Sequence, residues 1–164
     1  MIVDKRETIA ESFGTNTWLI HRIIEGLTHD ESLLQLPFRG NCLNWILGHI
    51  IAGRNVALEL LEAEPVWNTE AQARYIGGSP PILEDGDGLP LEALVKGLDE
   101  TQARMEAALA QCAEQDLEQI REFTRGSQPL WQHLEGRQWH ETYHAGQLQI
   151  LRNLALSKRD AEIT

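Results

Sequence analysis

Four long segments of the sequence repeat apolar residues every three or four positions. This spacing predicts helices with one buried face. The predicted helices run from about Asp4 to Gly26, Cys42 to Glu64, Pro90 to Ala113 and Pro129 to Leu156. No segment alternates convincingly as a strand does. The nearest, LEQIREFTRG at residues 117–126, is interpreted as a connection.

One long connection determines which neighbouring helices are expected to run parallel and which antiparallel. Residues 65–89, PVWNTEAQARYIGGSPPILEDGDGL, are rich in glycine and proline and are predicted to be non-helical. A link of this length lets the second and third helices run parallel, while shorter links make the other neighbours antiparallel. The sequence therefore predicts one all-α domain over residues 1–164, a four-helix bundle with a long crossover between helices 2 and 3.

Charge and cysteine content limit the expected partners and compartment. With 14 Lys and Arg against 25 Asp and Glu, the formal net charge is -11, which repels phosphate backbones and anionic lipid. We therefore expect neither nucleic acid nor a membrane as a partner. No apolar run reaches the length of a bilayer span, and the N-terminus lacks a secretory pattern. Together with only two cysteines, Cys42 and Cys112, these features predict a cytoplasmic protein.

The fourth predicted helix contains H-E-x-x-H, residues 140–144. His140 and His144 lie about 40° apart on a helical wheel. We expect both near the centre of the buried stripe, with Tyr143 and Ile150 to either side. His49 lies on the apolar side of the second helix. Three imidazoles from two helices are thus predicted to point into one core.

A divalent metal would give all three buried imidazoles a partner at once. Neutral imidazole binds zinc, nickel, copper and iron, and three protein ligands leave one position open, as in catalytic zinc sites. A hydrogen-bonded core histidine is the alternative for each residue. His133 shares the inward stripe and is either a neighbour of the ligands or partly exposed. His21 and His29 are expected at the surface.

The H-E-x-x-H motif is also found in zinc proteases, which need a third ligand. A histidine six residues after the second is missing, because position 150 is Ile150. A later acid, Asp160 or Glu162, falls in a predicted fraying tail. The protease interpretation is therefore disfavoured. Glu141 is expected to pair with Arg137, with a ligand histidine or with solvent-side charges, so that Glu141→Gln should leave the fold intact.

Two segments resemble the DinB-like family. They are LNWILGHIIAGRN on the second predicted helix and WHETYHAGQLQILRNL on the fourth, and the layout, including GLTHDESL and YIGGSPP, is also similar. The resemblance implies a four-helix bundle of up-down-down-up topology. It also implies a metal, zinc or nickel, held by His49, His140 and His144. Many members of the family are homodimers.

The resemblance implies a reaction as well as a site. Family members of known activity include metal-dependent transferases and isomerases that use low-molecular-weight thiols such as bacillithiol or mycothiol. We therefore expect a small-molecule substrate and a thiol as partners, in a pocket lined by Trp45, Trp139 or residues 65–89. Gln147 is expected to bind His140 or the substrate, and Cys42 to be a small buried residue. A metal-dependent hydrolase and a non-enzymatic binding module are the alternatives.

Overall fold

The computed structural model describes residues 4–84, 86–123 and 126–163. Over these residues the chain is mostly helical, which confirms the predicted class in the main. The elements in chain order are α1 (Lys5–Ile24), α2 (His29–Ser32), α3 (Leu43–Leu60), α4 (Thr69–Ala73), α5 (Leu91–Gln111), α6 (Glu114–Leu117), β1 (Ile120–Phe123), β2 (Gly126–Pro129) and α7 (Leu130–Ile163).

The four long helices enclose the core. Helices α1 and α3 each pack against both α5 and α7. Each long helix therefore has two long neighbours, and its apolar stripe is buried between them. Among the described residues, no helix combines the length and the apolar character needed to cross a lipid bilayer.

The segment before α7 differs from the prediction. Residues 117–126, interpreted above as a connection, include strand β1, which pairs antiparallel with β2; Ile120 lies opposite Pro129 and Phe123 opposite Gly126. Gly126 has φ +99°, a conformation that L side chains rarely adopt. The sequence did not predict the hairpin because its strands are short and show little apolar alternation. Contacts between β2 and α7 support its register instead.

His133 is one of the residues through which α7 contacts the hairpin. It is 5% exposed, its Nε2–H donates to the carbonyl of Arg121, and the side chain of Gln128 donates to its Nδ1. The ring of Phe123 packs edge-on against it, with centroids 5.9 Å apart. His133 is therefore buried and ties the hairpin to α7, and both roles suggested for it by the sequence are wrong.

The long connection is fastened to α3 by side chains of that helix. The hydroxyl of Tyr75 accepts from the N–H of Leu89 and donates to Asn44, whose amide in turn donates to the carbonyl of Leu89. The indole of Trp45 donates to Ser79. Residues 65–84 and 86–89 are thus held along one side of α3. They include the short helix α4, so the prediction that the whole connection is non-helical is wrong there.

Helix α7 is longer than predicted. It continues to Ile163, so the fraying tail expected after Leu156 is wrong. The physical reason is an ion pair between Arg159 and Glu31. Glu31 also forms the capping box of α2 with Thr28. Arg152 donates to the carbonyls of Ile23 and Glu25. The last turns of α7 are therefore held against the α1–α2 link.

Candidate metal centre

The structure brings the three predicted histidines together. His49 on α3 faces His140 and His144, which lie one turn apart on α7. The ring centroids are separated by 5.2 Å (His49–His140), 4.8 Å (His49–His144) and 4.4 Å (His140–His144). One nitrogen from each ring lies within 4.8 Å of the other two. The arrangement needs both helices, because neither contains all three residues.

Two hydrogen bonds fix how the rings present their nitrogens. The Nδ1 of His49 lies 2.6 Å from the carbonyl oxygen of Tyr75, which can only accept. The Nδ1 of His144 lies 2.7 Å from the side-chain oxygen of Gln147. The sequence had instead predicted that Gln147 binds His140 or the substrate. In both rings Nδ1 therefore carries the proton, and Nε2 offers its lone pair. A carbonyl partner on the second nitrogen is typical of metal-binding histidines.

The donor set fits a divalent metal. The Nε2 atoms of His140 and His144 are 3.1 Å apart, close to the roughly 3.3 Å that a tetrahedral site with nitrogen–zinc bonds of about 2.0–2.1 Å requires. Burial lowers the pKa of His144, and it lowers the pKa of His49 although the bond to Tyr75 favours protonation. Both rings are therefore neutral near pH 7, which is the form that binds metal.

Comparison with known families agrees with this geometry. Residues 17–148 match the sequence profile of the DinB superfamily. The chain belongs to the DinB superfamily. The matched range contains His49, His140 and His144 as well as the connection that carries Tyr75. No curated protein sequence matches the chain.

Two solved structures share the DinB fold of this chain. One is a conserved protein from Enterococcus faecalis, with a TM-score of 0.71 at 16% identity over 92% of this chain and 96% of its own. The other is a DinB-like protein from Bacillus cereus, with a TM-score of 0.67 at 19% identity over 91% of each chain. At these identities the similarity concerns the fold alone.

A glycine lets Tyr75 reach the three-histidine group of this DinB protein. A Cβ atom added at Gly48 would lie 2.1 Å from Cδ1 of Tyr75, well inside contact distance. The aromatic ring therefore packs directly on the backbone of α3, and the carbonyl of the same residue is placed on His49, the next residue along the helix. One face of the His49 ring stacks on Trp45, with centroids 4.8 Å apart. Gly48 thus positions His49 indirectly.

We expect Gly48→Ala to weaken both the fold and metal binding. The Tyr75 ring must move, which should cost about 1–3 kcal/mol of unfolding free energy, as overpacking does. Loss of the carbonyl that orients His49 should lower zinc affinity by about 10–100-fold. Denaturant unfolding and zinc titration measure the two effects. Gly53→Ala on the same helix is the matched control, because an added Cβ there meets nothing within 4 Å; equal losses in both variants would contradict this role.

Glu141, the acid of the motif, faces away from the expected partners. It is 3% exposed and bonds through both carboxylate oxygens to Arg54, at 2.8 Å and 2.6 Å. It pairs neither with Arg137 nor with solvent-side charges, so those predictions are wrong. Arg54 is 1% exposed and also donates to Phe13, Thr17, Leu98 and Gln102. This buried network joins α1, α3, α5 and α7.

The Arg54–Glu141 pair also explains why α7 is rotated relative to the prediction. Glu141 takes a central position in the buried face, whereas Tyr143 and Ile150, expected to be buried, are 57% and 59% exposed. The histidine pair consequently lies toward the edge of the buried face, with His140 half-buried. This displacement places the three-histidine group at the margin of the core, with His49 and His140 half-buried.

A cavity of about 400 Å³ adjoins the histidine group through His144, the one of the three that lines it. His144 and Gln147 lie in its wall, with Trp45 among the apolar residues. Trp45 is therefore a lining residue, as predicted. Trp139 is not: it is 64% exposed and stacks on Tyr143. A larger cavity of about 670 Å³, lined by residues such as Arg104 and Cys112, contains none of the three histidines in its wall.

The remaining candidates lie away from the metal centre. Cys42 is buried, as predicted, its thiol donates to the carbonyl of Ile82, and burial raises its pKa. His21 pairs with Asp99 at the surface. His29 is half-buried, and its Nδ1 accepts from the N–H of Leu91. Asp160, a candidate protease ligand, lies sixteen residues beyond His144 on the same helix, about 24 Å along the axis. It cannot share a metal with His144.

Proposed function

We propose that this protein is a metal-dependent transferase that joins a low-molecular-weight thiol to a small electrophilic molecule. The observation that carries the proposal is the convergence of three imidazoles, His49, His140 and His144, beside a cavity of about 400 Å³. Three protein ligands leave a metal position open for a thiol. Membership of the DinB superfamily supports the same reaction.

In this proposal the residues of the chain bind the metal and the substrate and orient them. A divalent metal on these histidines would supply an activated thiolate near neutral pH, since a free thiol has a pKa of about 8.5. The bonds to Tyr75 and Gln147 occupy Nδ1 of two of the rings and leave their Nε2 lone pairs for a ligand, and one nitrogen of each ring lies within 4.8 Å of the other two. The apolar wall of the cavity excludes water from the electrophile. In the transfer, a sulfur–carbon bond forms while the bond from carbon to the leaving group breaks, and the thiol proton passes to solvent.

The position of Glu141 favours thiol transfer over hydrolysis. A hydrolase with this motif would use Glu141 as a general base on water. Here both carboxylate oxygens bind Arg54 in the interior, and releasing them would leave a buried charge unpaired. A thiol needs no such base, because metal binding is enough to lower its pKa.

The proposal is tested by assaying zinc-loaded and nickel-loaded protein with monochlorobimane and bacillithiol, mycothiol or cysteine. We expect metal-dependent displacement of chloride by at least one thiol, seen as fluorescent conjugate above the uncatalysed rate. His49→Ala should abolish the excess, and His21→Ala should keep it. Parallel assays with p-nitrophenyl acetate and casein cover the alternatives: metal-dependent hydrolysis without thiol would indicate a hydrolase, and a metal-loaded protein inactive in every assay would indicate a binding module.

Several finer features remain predictions of the sequence and of the family resemblance. They are the up-down-down-up topology, the single domain over residues 1–164, the choice of zinc or nickel, the homodimer and the cytoplasmic location. The thirty residues between α3 and α5 support the topology, because they are long enough for a crossover.

A further inference from the structure

The cavity beside His144 combines apolar walls with a single cationic side chain. Its apolar lining consists of Leu36, Phe38, Trp45, Ile46, Ile150 and Leu151. Arg39 is the one charged residue among the described residues that line it, and Asn41 and Gln147 add amide groups. Small-molecule sites typically have this composition, mostly apolar with few polar groups that orient the ligand.

Arg39 has no partner among the residues that the structure describes. It is exposed, and it makes neither a hydrogen bond nor an ion pair with them. Several other arginines are engaged, for example Arg159 with Glu31 and Arg121 with Glu62. The chain has 25 Asp and Glu residues, yet none of those that the structure describes pairs with this guanidinium beside the apolar cavity.

We infer that the cavity binds an amphiphilic organic anion, a small molecule with an apolar body and a carboxylate that Arg39 binds. The inference rests on the proposed function, because it assigns the class of the electrophilic substrate. The apolar body lies against Trp45, Ile46 and Ile150, and the carboxylate lies at Arg39. The ligand is thereby oriented along the wall that contains His144.

The net charge of -11 does not prevent an anion from binding here. Exposed charges separated by more than about 8 Å are largely screened at physiological ionic strength, so the nearest group dominates. A guanidinium donates two parallel hydrogen bonds to a carboxylate, which adds orientation to attraction. Burial of the apolar body supplies affinity, and Arg39 supplies the preference for an anion over a neutral molecule of the same shape.

The test compares two probes of similar shape, 4-phenylbutyrate and 4-phenylbutanol, by calorimetric titration. Each is titrated into wild type, Arg39→Ala, Arg22→Ala and Ile150→Asn, both in EDTA and with one equivalent of zinc. Arg22 is the matched control, because it is exposed and lines a different cavity, beside Trp18. Ile150 is 59% exposed, so its replacement tests the apolar wall without disturbing the core.

We expect wild type and Arg22→Ala to bind the carboxylate roughly fivefold more tightly than the alcohol in EDTA, as for a partly exposed ion pair. Arg39→Ala should bind both probes equally, and Ile150→Asn should weaken both. An anion preference that survives in Arg39→Ala, or the absence of binding to wild type, would overturn the inference. The EDTA titrations need no metal, so their result is independent of the thiol-transfer assay. Failure of that assay would contradict only the proposed reaction.

Discussion

Glu141→Gln is expected to lower the free energy of unfolding by about 3 kcal/mol, and Arg54→Met by about 3–5 kcal/mol, because each leaves a buried polar group without its charged partner. The side chains of the pair are 4% and 0% exposed. Losses of this size are a large part of a total stability of about 5–15 kcal/mol. Denaturant unfolding followed by circular dichroism measures both. The earlier expectation that Glu141→Gln leaves the fold intact is replaced by this one.

The double variant Arg54→Met/Glu141→Leu distinguishes a lost ion pair from general damage. Thr17 still donates to Phe13 or Gln102 once Arg54 is gone, so few groups are left unsatisfied. The double variant should therefore lose clearly less than the sum of the single variants. Lys96→Gln, which breaks an exposed pair with Glu100, should change stability by less than about 0.5 kcal/mol. Additive losses in the double variant would contradict a coupled buried pair.

The sequence was sufficient to locate the four long helices and to group the three histidines. Helical periodicity identifies an element when its stripe is long, as it is in α1, α3, α5 and α7. The spacing of His140 and His144 fixes their common side on α7. The convergence of His49 with this pair followed from two separate helical wheels together with the family resemblance.

Contacts between residues far apart in the sequence could not be predicted in the same way. Arg54 and Glu141 are separated by 87 positions, and no local pattern connects them. One signal was available: an arginine within the apolar helix LGHIIAGRNVALEL requires a buried acid, and Glu141 was the acid nearest the inner face of α7. The carbonyl of Tyr75 on His49 carries no side-chain signature, so sequence reasoning could not find it. The hairpin before α7 is supported by contacts with His133, which are tertiary as well.

His49→Ala is expected to lower zinc affinity more than any change outside the three histidines. Losing one of three protein ligands removes a nitrogen–metal bond, whereas losing a residue that only orients a ligand costs about 10–100-fold. Gln147→Ala, which removes the partner of His144, should therefore fall within that smaller range. Zinc binding should also weaken in acid, at a pH below the ordinary imidazole pKa of about 6.5, because burial lowers the pKa of His49 and His144 and only a protonated ring lacks a lone pair.

Competition titration of zinc against a chromophoric chelator, in protein purified without a metal-affinity column, tests the three-histidine site most directly. Wild type and His21→Ala should bind one zinc per chain with equal affinity. His49→Ala, His140→Ala and His144→Ala should each lose far more than the 100-fold limit set for Gln147→Ala, while their circular dichroism spectra stay helical. Wild-type zinc affinity in a folded His49→Ala variant would contradict a site shared between α3 and α7.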